Sequence, residues 1–222
     1  MAERYWSNNS LCIAVIGDLV GSKKLSNRAA AQELLRELIE HLNAEYADSL
    51  LAPFTISRGD EFQGLLERAA PLPDIVWDCE LYLDRLGVRF GFGLGTLRTP
   101  LNSVPMETDG PAWWAARAAF ESAAATKREG GVFTGFGDDD EVLTAFASLL
   151  RYIRTRMTRR QRMVMNLLRS GEDYVQAGEI LSITKQAVYA HSVSAGWHAY
   201  REGESAWRTV LNSFDYSATW MR

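Results

Sequence analysis

Residues 11–20, LCIAVIGDLV, are an apolar run broken near its end by Asp18, which predicts a buried central strand stopping at Gly21-Ser22. From Phe54 to Leu66 (FTISRGDEFQGLL) apolar and polar positions alternate, break at Gly59-Asp60-Glu61 and become apolar again. That pattern predicts a β-hairpin, with Phe54 and Ile56 on one strand and Phe62, Leu65 and Leu66 on the return. Gly59 supplies the backbone freedom of the turn. Helical spacing fills the gap between these strands. Leu34, Leu35, Leu38, Ile39 and Leu42 share one face of a helix from about Asn27 to Tyr46, away from Arg36, Glu37 and Glu40. A second helix starts near Asp74, with Ile75, Val76, Cys79, Leu83 and Leu86 as its buried stripe and Gly87 as its stop.

Residues 88–97, VRFGFGLGTL, read as a strand with Gly91, Gly93 and Gly95 on one face and Phe90, Phe92 and Leu94 on the other. The glycine spacing is wrong for a dinucleotide fingerprint, and no helix follows at once. Such a face means close approach, either by neighbouring backbone or by a flat ligand. Asp109-Gly110-Pro111 opens an alanine-rich third helix with Lys127 and Arg128 near its end and Gly130-Gly131 as its stop, and VFTGF returns as a strand. The order β-α-β-β-α-β-α-β predicts an α/β (α+β) sandwich of the ferredoxin-like or palm type over residues 1–137.

Asp138 to Asp140 cap a helix reaching Arg156, which serves as connector over 138–156. The remainder, 157–222, reads as an all-α domain. Thr158 with Gln161 forms a capping box for the helix over 158–171, which Gly171 closes. The short helix VQAGEILS follows, and Thr184 caps a third helix. Helix, short helix, tight turn and third helix predict a helix-turn-helix with residues 185 to about 196 as the recognition helix. Val188 and His191 face inward, leaving Lys185, Gln186 and Tyr189 outward with Thr184, while Arg159, Arg160 and Arg162 would lie along a DNA backbone. Three-helix units also serve as plain interaction domains. The tail AWRTVLNSF predicts one more amphipathic helix, for packing or dimerisation.

Charge supports a boundary near residue 150. Residues 1–150 carry 13 Lys and Arg against 22 Asp and Glu, whereas residues 151–222 carry 11 against 6. The basic part suits a polyanion such as DNA. Cys12 and Cys79 lie in apolar surroundings without metal-ligand spacing, as expected of reduced core residues in a cytoplasmic protein. The run 11–20 lacks a basic flank and is broken by Asp18, so it reads as neither signal peptide nor membrane span. His41, His191 and His198 are dispersed and suggest no metal cluster or triad.

The candidate chemistry lies in carboxylates. Asp18 at a strand end and Asp60 at a hairpin corner could converge on a hard cation such as Mg²⁺ or Mn²⁺. IGDLVGS, RGDEFQGLL, GFGLGTLRTP and GPAWWAAR, in that order over about residues 10–136, resemble class III nucleotide cyclase domains and, more distantly, GGDEF-type diguanylate cyclases. With the helix-turn-helix behind it, similar to the sigma-factor and LuxR type, the arrangement resembles the SatD family. The resemblance implies Asp18 and Asp60 as metal ligands and Arg117 as the catalytic arginine on the transferred phosphates. It further implies Gly21, Ser22, Gly59, Glu61 and Gly93 as nucleotide-binding positions. The chain departs from the cyclases at Trp113, where their transition-state asparagine should stand, and at Ile56, near their purine-selecting lysine.

Losing a preorganised donor to the reacting group costs about 10²–10³ in rate, so the domain is better suited to holding a nucleotide than to cyclising it. The expectation is a homodimeric, DNA-binding one-component regulator whose cyclase-like domain binds a metal–nucleotide or related phosphorylated ligand. Two alternatives stay open: an active cyclase or nucleotidyl transferase targeted by its helix-turn-helix, and a degenerate non-catalytic scaffold. Asp18 and Asp60 could also merely cap turns.

Overall fold

A computed structural model describes residues 10–20, 28–83, 86–102, 104–128 and 130–217. The chain divides into two compact units, one of Met1–Ser148 with Trp207–Arg222 and one of Leu149–Ala206.

The first unit is built on strands β1 (Cys12–Val20), β2 (Leu50–Arg58), β3 (Glu61–Leu66), β4 (Gly87–Gly95) and β5 (Val132–Thr134), in the order β2-β3-β1-β4-β5. Helix α1 (Arg28–Glu45) joins β1 to β2, α2 (Leu72–Leu83) joins β3 to β4, and α3 (Pro111–Thr126) joins β4 to β5. The first four strands are antiparallel to their neighbours, and this succession and order are those of a ferredoxin-like, palm-type sandwich. Strand β5 pairs parallel with β4, as a helical crossover permits.

The two faces of the sheet are packed by opposite means. On one, Phe54, Phe62, Phe90, Phe92 and Phe133 form a ladder of ring contacts with centroids between 4.5 and 6.2 Å apart. Such pairs contribute about 0.5–1.5 kcal/mol each beyond their burial. On the other face, a Cβ added at Gly93 would lie 2.1 Å from the Ala116 nitrogen and 2.3 Å from the Ala112 oxygen. Gly91 and Gly95 meet the α3 backbone equally closely. The glycines and the alanines of α3 let helix and strand approach backbone to backbone, so the close partner of this face is the helix and not a ligand.

Several elements end differently from their sequence pattern. Glu61 is the first residue of β3, paired with Arg58 and with Asp18, so the turn is Gly59-Asp60 alone, with Gly59 at φ +67°. Gly87 starts β4 and does not merely stop α2, which ends at Leu83. Helix α3 is terminated by Lys127 in the left-handed conformation, whose N–H bonds back to the Ala123 and Ala124 carbonyls, before Gly130-Gly131 is reached.

The second unit holds α5 (Arg159–Arg169), α6 (Tyr174–Leu181) and α7 (Lys185–Ser194). Helices α4 (Asp140–Thr155) and α8 (Trp197–Ser217) each contribute residues to both units. Asp140 opens α4 by accepting from the Gly135 and Phe136 amides. Capping boxes start both α5 (Thr158 with Gln161) and α6 (Asp173 with Gln176), and the Thr184 hydroxyl accepts from Ala187 N to start α7. Val164, Ala177, Leu181 and Val188 are the core of the three helices. Gly196 at φ +76° breaks the chain after α7, so the third helix is shorter than its pattern and Trp197 begins α8.

The expected division at 156/157 with everything after it in one domain is not what the chain adopts. From Trp207 onward, α8 belongs to the sheet unit. Trp207 is fully buried and meets Phe133 edge-on at 6.0 Å, and Phe214 meets Phe136 at 5.0 Å. Arg208 pairs with Asp74 at 2.7 and 2.8 Å, and the Asp215 carboxylate accepts from the Ala69 and Ala70 amides. The apolar stripe of the tail thus closes the sheet's own core.

Candidate functional site

Register across three strands sets the ionisable groups. Asp18 on β1 stands opposite Glu61 of β3 on one side and Arg89 of β4 on the other. Alternation puts all three on the face that carries α3. One turn beyond Trp113, Arg117 reaches down from that helix, and its Nη1 and Nη2 donate to Glu61 Oε2 and Oε1 at 3.0 and 2.9 Å. The Ser57 hydroxyl donates to Glu61 Oε1 at 3.0 Å. These bonds, with the Arg117 charge, hold the Glu61 carboxyl below its usual range despite burial.

Asp18 is treated otherwise. Its Oδ1 lies 3.8 Å from Arg89 Nε, too far for a hydrogen bond, and both atoms are buried without a hydrogen-bond partner. Burial pushes the Asp18 carboxyl above the usual range, Arg89 pulls it back, and the nearby Asp60 and Glu61 charges push it further up. A buried carboxylate oxygen without a hydrogen bond, with two more carboxylates nearby, is costly to the fold and is a feature expected where a cation or proton enters.

Beside this row opens a cleft of about 330 Å³, floored by Ile16 and Gln63 and walled by Thr108, Trp113, Trp114 and Arg117. Trp113 is nearly buried, and its Nε1 donates to Thr108 Oγ1 at 2.8 Å. Trp113 is therefore a wall of the cleft with its one side-chain donor already engaged.

Asp18, Glu61 and Arg117 are thus brought to one face, and Asp60, in the adjoining turn, is near enough for its charge to act on Asp18. Gly59 forms the adjacent turn with open space around it. Gly93 is not available to a nucleotide, because the α3 backbone covers it. Gly21 and Ser22 lie outside the described residues. Among the described residues no group of three or more His, Cys, Asp or Glu side chains is arranged to hold a metal ion. Cys12 and Cys79 are free and buried, and burial pushes the Cys12 thiol up to about 12.

On the second unit, Thr184, Lys185, Gln186 and Tyr189 are exposed around the start of α7, Arg159 and Arg160 are exposed on α5, and Arg162 is half-buried. Val188 points into the core. Arg89, Ser57, Gln63, Thr108 and Trp114 were not singled out from sequence. Arg89 could have been found, since it alternates with Gly91 and so shares the face of Asp18 once the strand register is known.

The fold and this row define a ferredoxin-like α+β unit carrying an incompletely satisfied acidic site, continued by a small helical unit. The SatD family model matches residues 12–193, and the chain belongs to that family. Among solved structures, the chain is similar to the catalytic core of a rhodopsin-guanylyl cyclase with converted specificity in complex with ATPαS. That match has a TM-score of 0.39 and 12% identity over 51% of this chain and 73% of that one. It is also similar to the Regulator of Polyketide Synthase Expression from Bifidobacterium adolescentis, with a TM-score of 0.28 and 14% identity over 96% of this chain and 83% of that one. No curated protein matches. Among the described residues no helix is long and apolar enough to cross a membrane.

Proposed function

We propose that the protein is a cytoplasmic, homodimeric one-component regulator: its sheet unit binds a metal–nucleotide or related phosphorylated ligand, and its helical unit is a helix-turn-helix that binds DNA. The observation that carries the reading is Asp18 Oδ1, a buried carboxylate oxygen with no hydrogen-bond partner, in the same chain as a capped helix with a polar, exposed first turn. Two carboxylates do not fill an octahedral shell. They suit Mg²⁺ or Mn²⁺ arriving with phosphates and water, with Asp18 and Asp60 as protein ligands and Arg117 beside the phosphates. The metal would supply charge to hold the phosphates. Arg117, now bound to Glu61, would share its guanidinium with them. Trp113 offers no free donor for a transition state, which favours binding over cyclisation.

For the helical unit, Lys185 and Gln186 can donate to base edges, and Arg159 and Arg160 to phosphates. Helix α4, like α8 continuous from one unit into the other, is a covalent route by which a ligand-dependent change would bias DNA binding.

The test is a thermal melt with Mg²⁺ or Mn²⁺ and a nucleotide panel, beside Asp18→Asn/Asp60→Asn, followed by DNA binding with and without the stabilising nucleotide. Ligand at about 100 times Kd should stabilise the fold by about 2.7 kcal/mol. A metal-dependent shift lost in the double variant, with altered DNA affinity, is the expected result. Pyrophosphate release lost in Asp18→Asn would make the protein an enzyme. Indifference to every nucleotide and to DNA would overturn the reading and leave a scaffold.

A further inference from the structure

The cleft beside the acidic row contains groups that neither metal nor phosphate binding explains. Trp114 is 47% exposed, yet its indole is held at its Nε1 edge and over one face. Its Nε1 donates to Asp109 Oδ1 at 2.7 Å, and the Arg98 guanidinium lies 4.8 Å from the ring centroid. A solvated surface tryptophan has no need of such restraint, whereas a preorganised aromatic platform does. The opposite rim is pinned as well: Thr108 accepts from Trp113 Nε1 and donates to the Pro105 carbonyl at 2.7 Å, which holds Met106, 57% exposed, at the mouth. At the floor lies Gln63, a nearly buried amide that can both donate and accept. The volume of about 330 Å³ is at the small end for ligand sites.

We propose that this cleft takes the flat heteroaromatic ring of an anionic ligand, a nucleobase in chemical class, stacked along Trp114, with Gln63 meeting the ring's polar edge and the anion reaching Arg117. The inference rests on the ligand-binding half of the proposed function and adds what the carboxylates cannot recognise, the ring. Arg117 sits at the junction of the two: it lines the cleft and is bound to Glu61, so a ligand phosphate takes over part of a guanidinium that a carboxylate already keeps in position. Specificity for the base would come from Gln63, because aromatic stacking accepts every base.

The experiment is calorimetric titration of the full chain in EDTA with AMP, GMP and ribose 5-phosphate, for the wild type, Trp114→Ala and Trp114→Phe. AMP or GMP is expected to bind, and ribose 5-phosphate to bind at least tenfold more weakly. Trp114→Ala should weaken nucleotide binding by about tenfold or more, as loss of a stacked base does, and Trp114→Phe should restore most of it. Binding of ribose 5-phosphate as tight as that of the nucleotides, no change in Trp114→Ala, or no nucleotide binding at millimolar concentration would each overturn the proposal. Excluding metal separates this outcome from the Asp18–Asp60 test: binding here with no metal-dependent shift there would keep the cleft and remove the metal site.

Discussion

Asp18 and Arg89 face each other at 3.8 Å without a hydrogen bond, whereas in the helical unit Arg169 Nε donates to both carboxylate oxygens of Glu204 at 3.1 Å. Both pairs are largely withdrawn from water. Glu204 is surrounded by an arrangement that also includes Arg154 donating to the Tyr200 hydroxyl at 3.0 Å, all inside one unit. Asp18 instead has Asp60 and Glu61 beside it and a bare oxygen. Breaking a closed buried pair is costly to the fold, while an open carboxylate already costs stability and marks a candidate functional site. The same contrast extends to the surface: the helical unit leaves Arg159, Arg160 and Lys185 exposed, and the sheet unit ties Arg117 to Glu61.

The contrast can be broken most directly at the closed pair. Arg169→Met removes the tightest partner of a buried carboxylate and should cost about 3–5 kcal/mol, read by urea unfolding of the full chain. A cost comparable with that of a surface pair would mean Glu204 is as open as Asp18. Next in size is Gly93→Ala, whose Cβ would enter the α3 backbone. Overpacking of this kind typically costs about 1–3 kcal/mol, and thermal unfolding should show it without metal or ligand. Thr158→Ala removes one half of the α5 capping box and should cost about 1 kcal/mol, measured as a lower urea midpoint.

The smallest effects sharpen the contrast by their sign. Asp18 takes up a proton more readily folded than unfolded, so its contribution to stability declines as pH rises from its ordinary value of 3.8 through its raised folded value. Asp18→Asn should therefore abolish that decline and leave the neutral-pH melting temperature equal or higher. Glu61 behaves oppositely: its contribution is present above its ordinary value of 4.5 and fades as pH falls through the lowered folded value. Glu61→Gln should lower stability at neutral pH by up to about 1 kcal/mol, because Arg117 is partly exposed, and should flatten the acid side of the profile. Melting curves from acid to neutral pH compare the two. Parallel slopes would show that Asp18 is as well satisfied as Glu61.

Much of this was readable from local pattern. Alternation at 54–66 marks the hairpin, helical spacing marks α1 and α2, and Thr158-Gln161 and Thr184 mark two helix starts, because each signal lies within a few residues. The carboxylates Asp18 and Asp60 could be singled out for the same reason: an acid at the end of an apolar run is conspicuous. The alternation of Gly91, Gly93 and Gly95 also told that something must approach closely.

What approaches is a tertiary matter. Helix α3 covers the glycines because its alanines present bare backbone, and no property of β4 alone selects helix over ligand. The Glu61–Arg117 bond joins positions 56 residues apart, and the looseness of Asp18–Arg89 depends on how three strands register. The last half of α8 has the amphipathic pattern of any packing helix, and its return to the sheet is decided by distant partners, Phe133 and Phe136, Asp74, and the Ala69 and Ala70 amides. Sequence by itself determined most of the strands and helices and made the carboxylates Asp18 and Asp60 conspicuous, since short-range pattern encodes both. Tertiary structure decided which charges are satisfied, because satisfaction depends on distances between residues that the chain order keeps far apart.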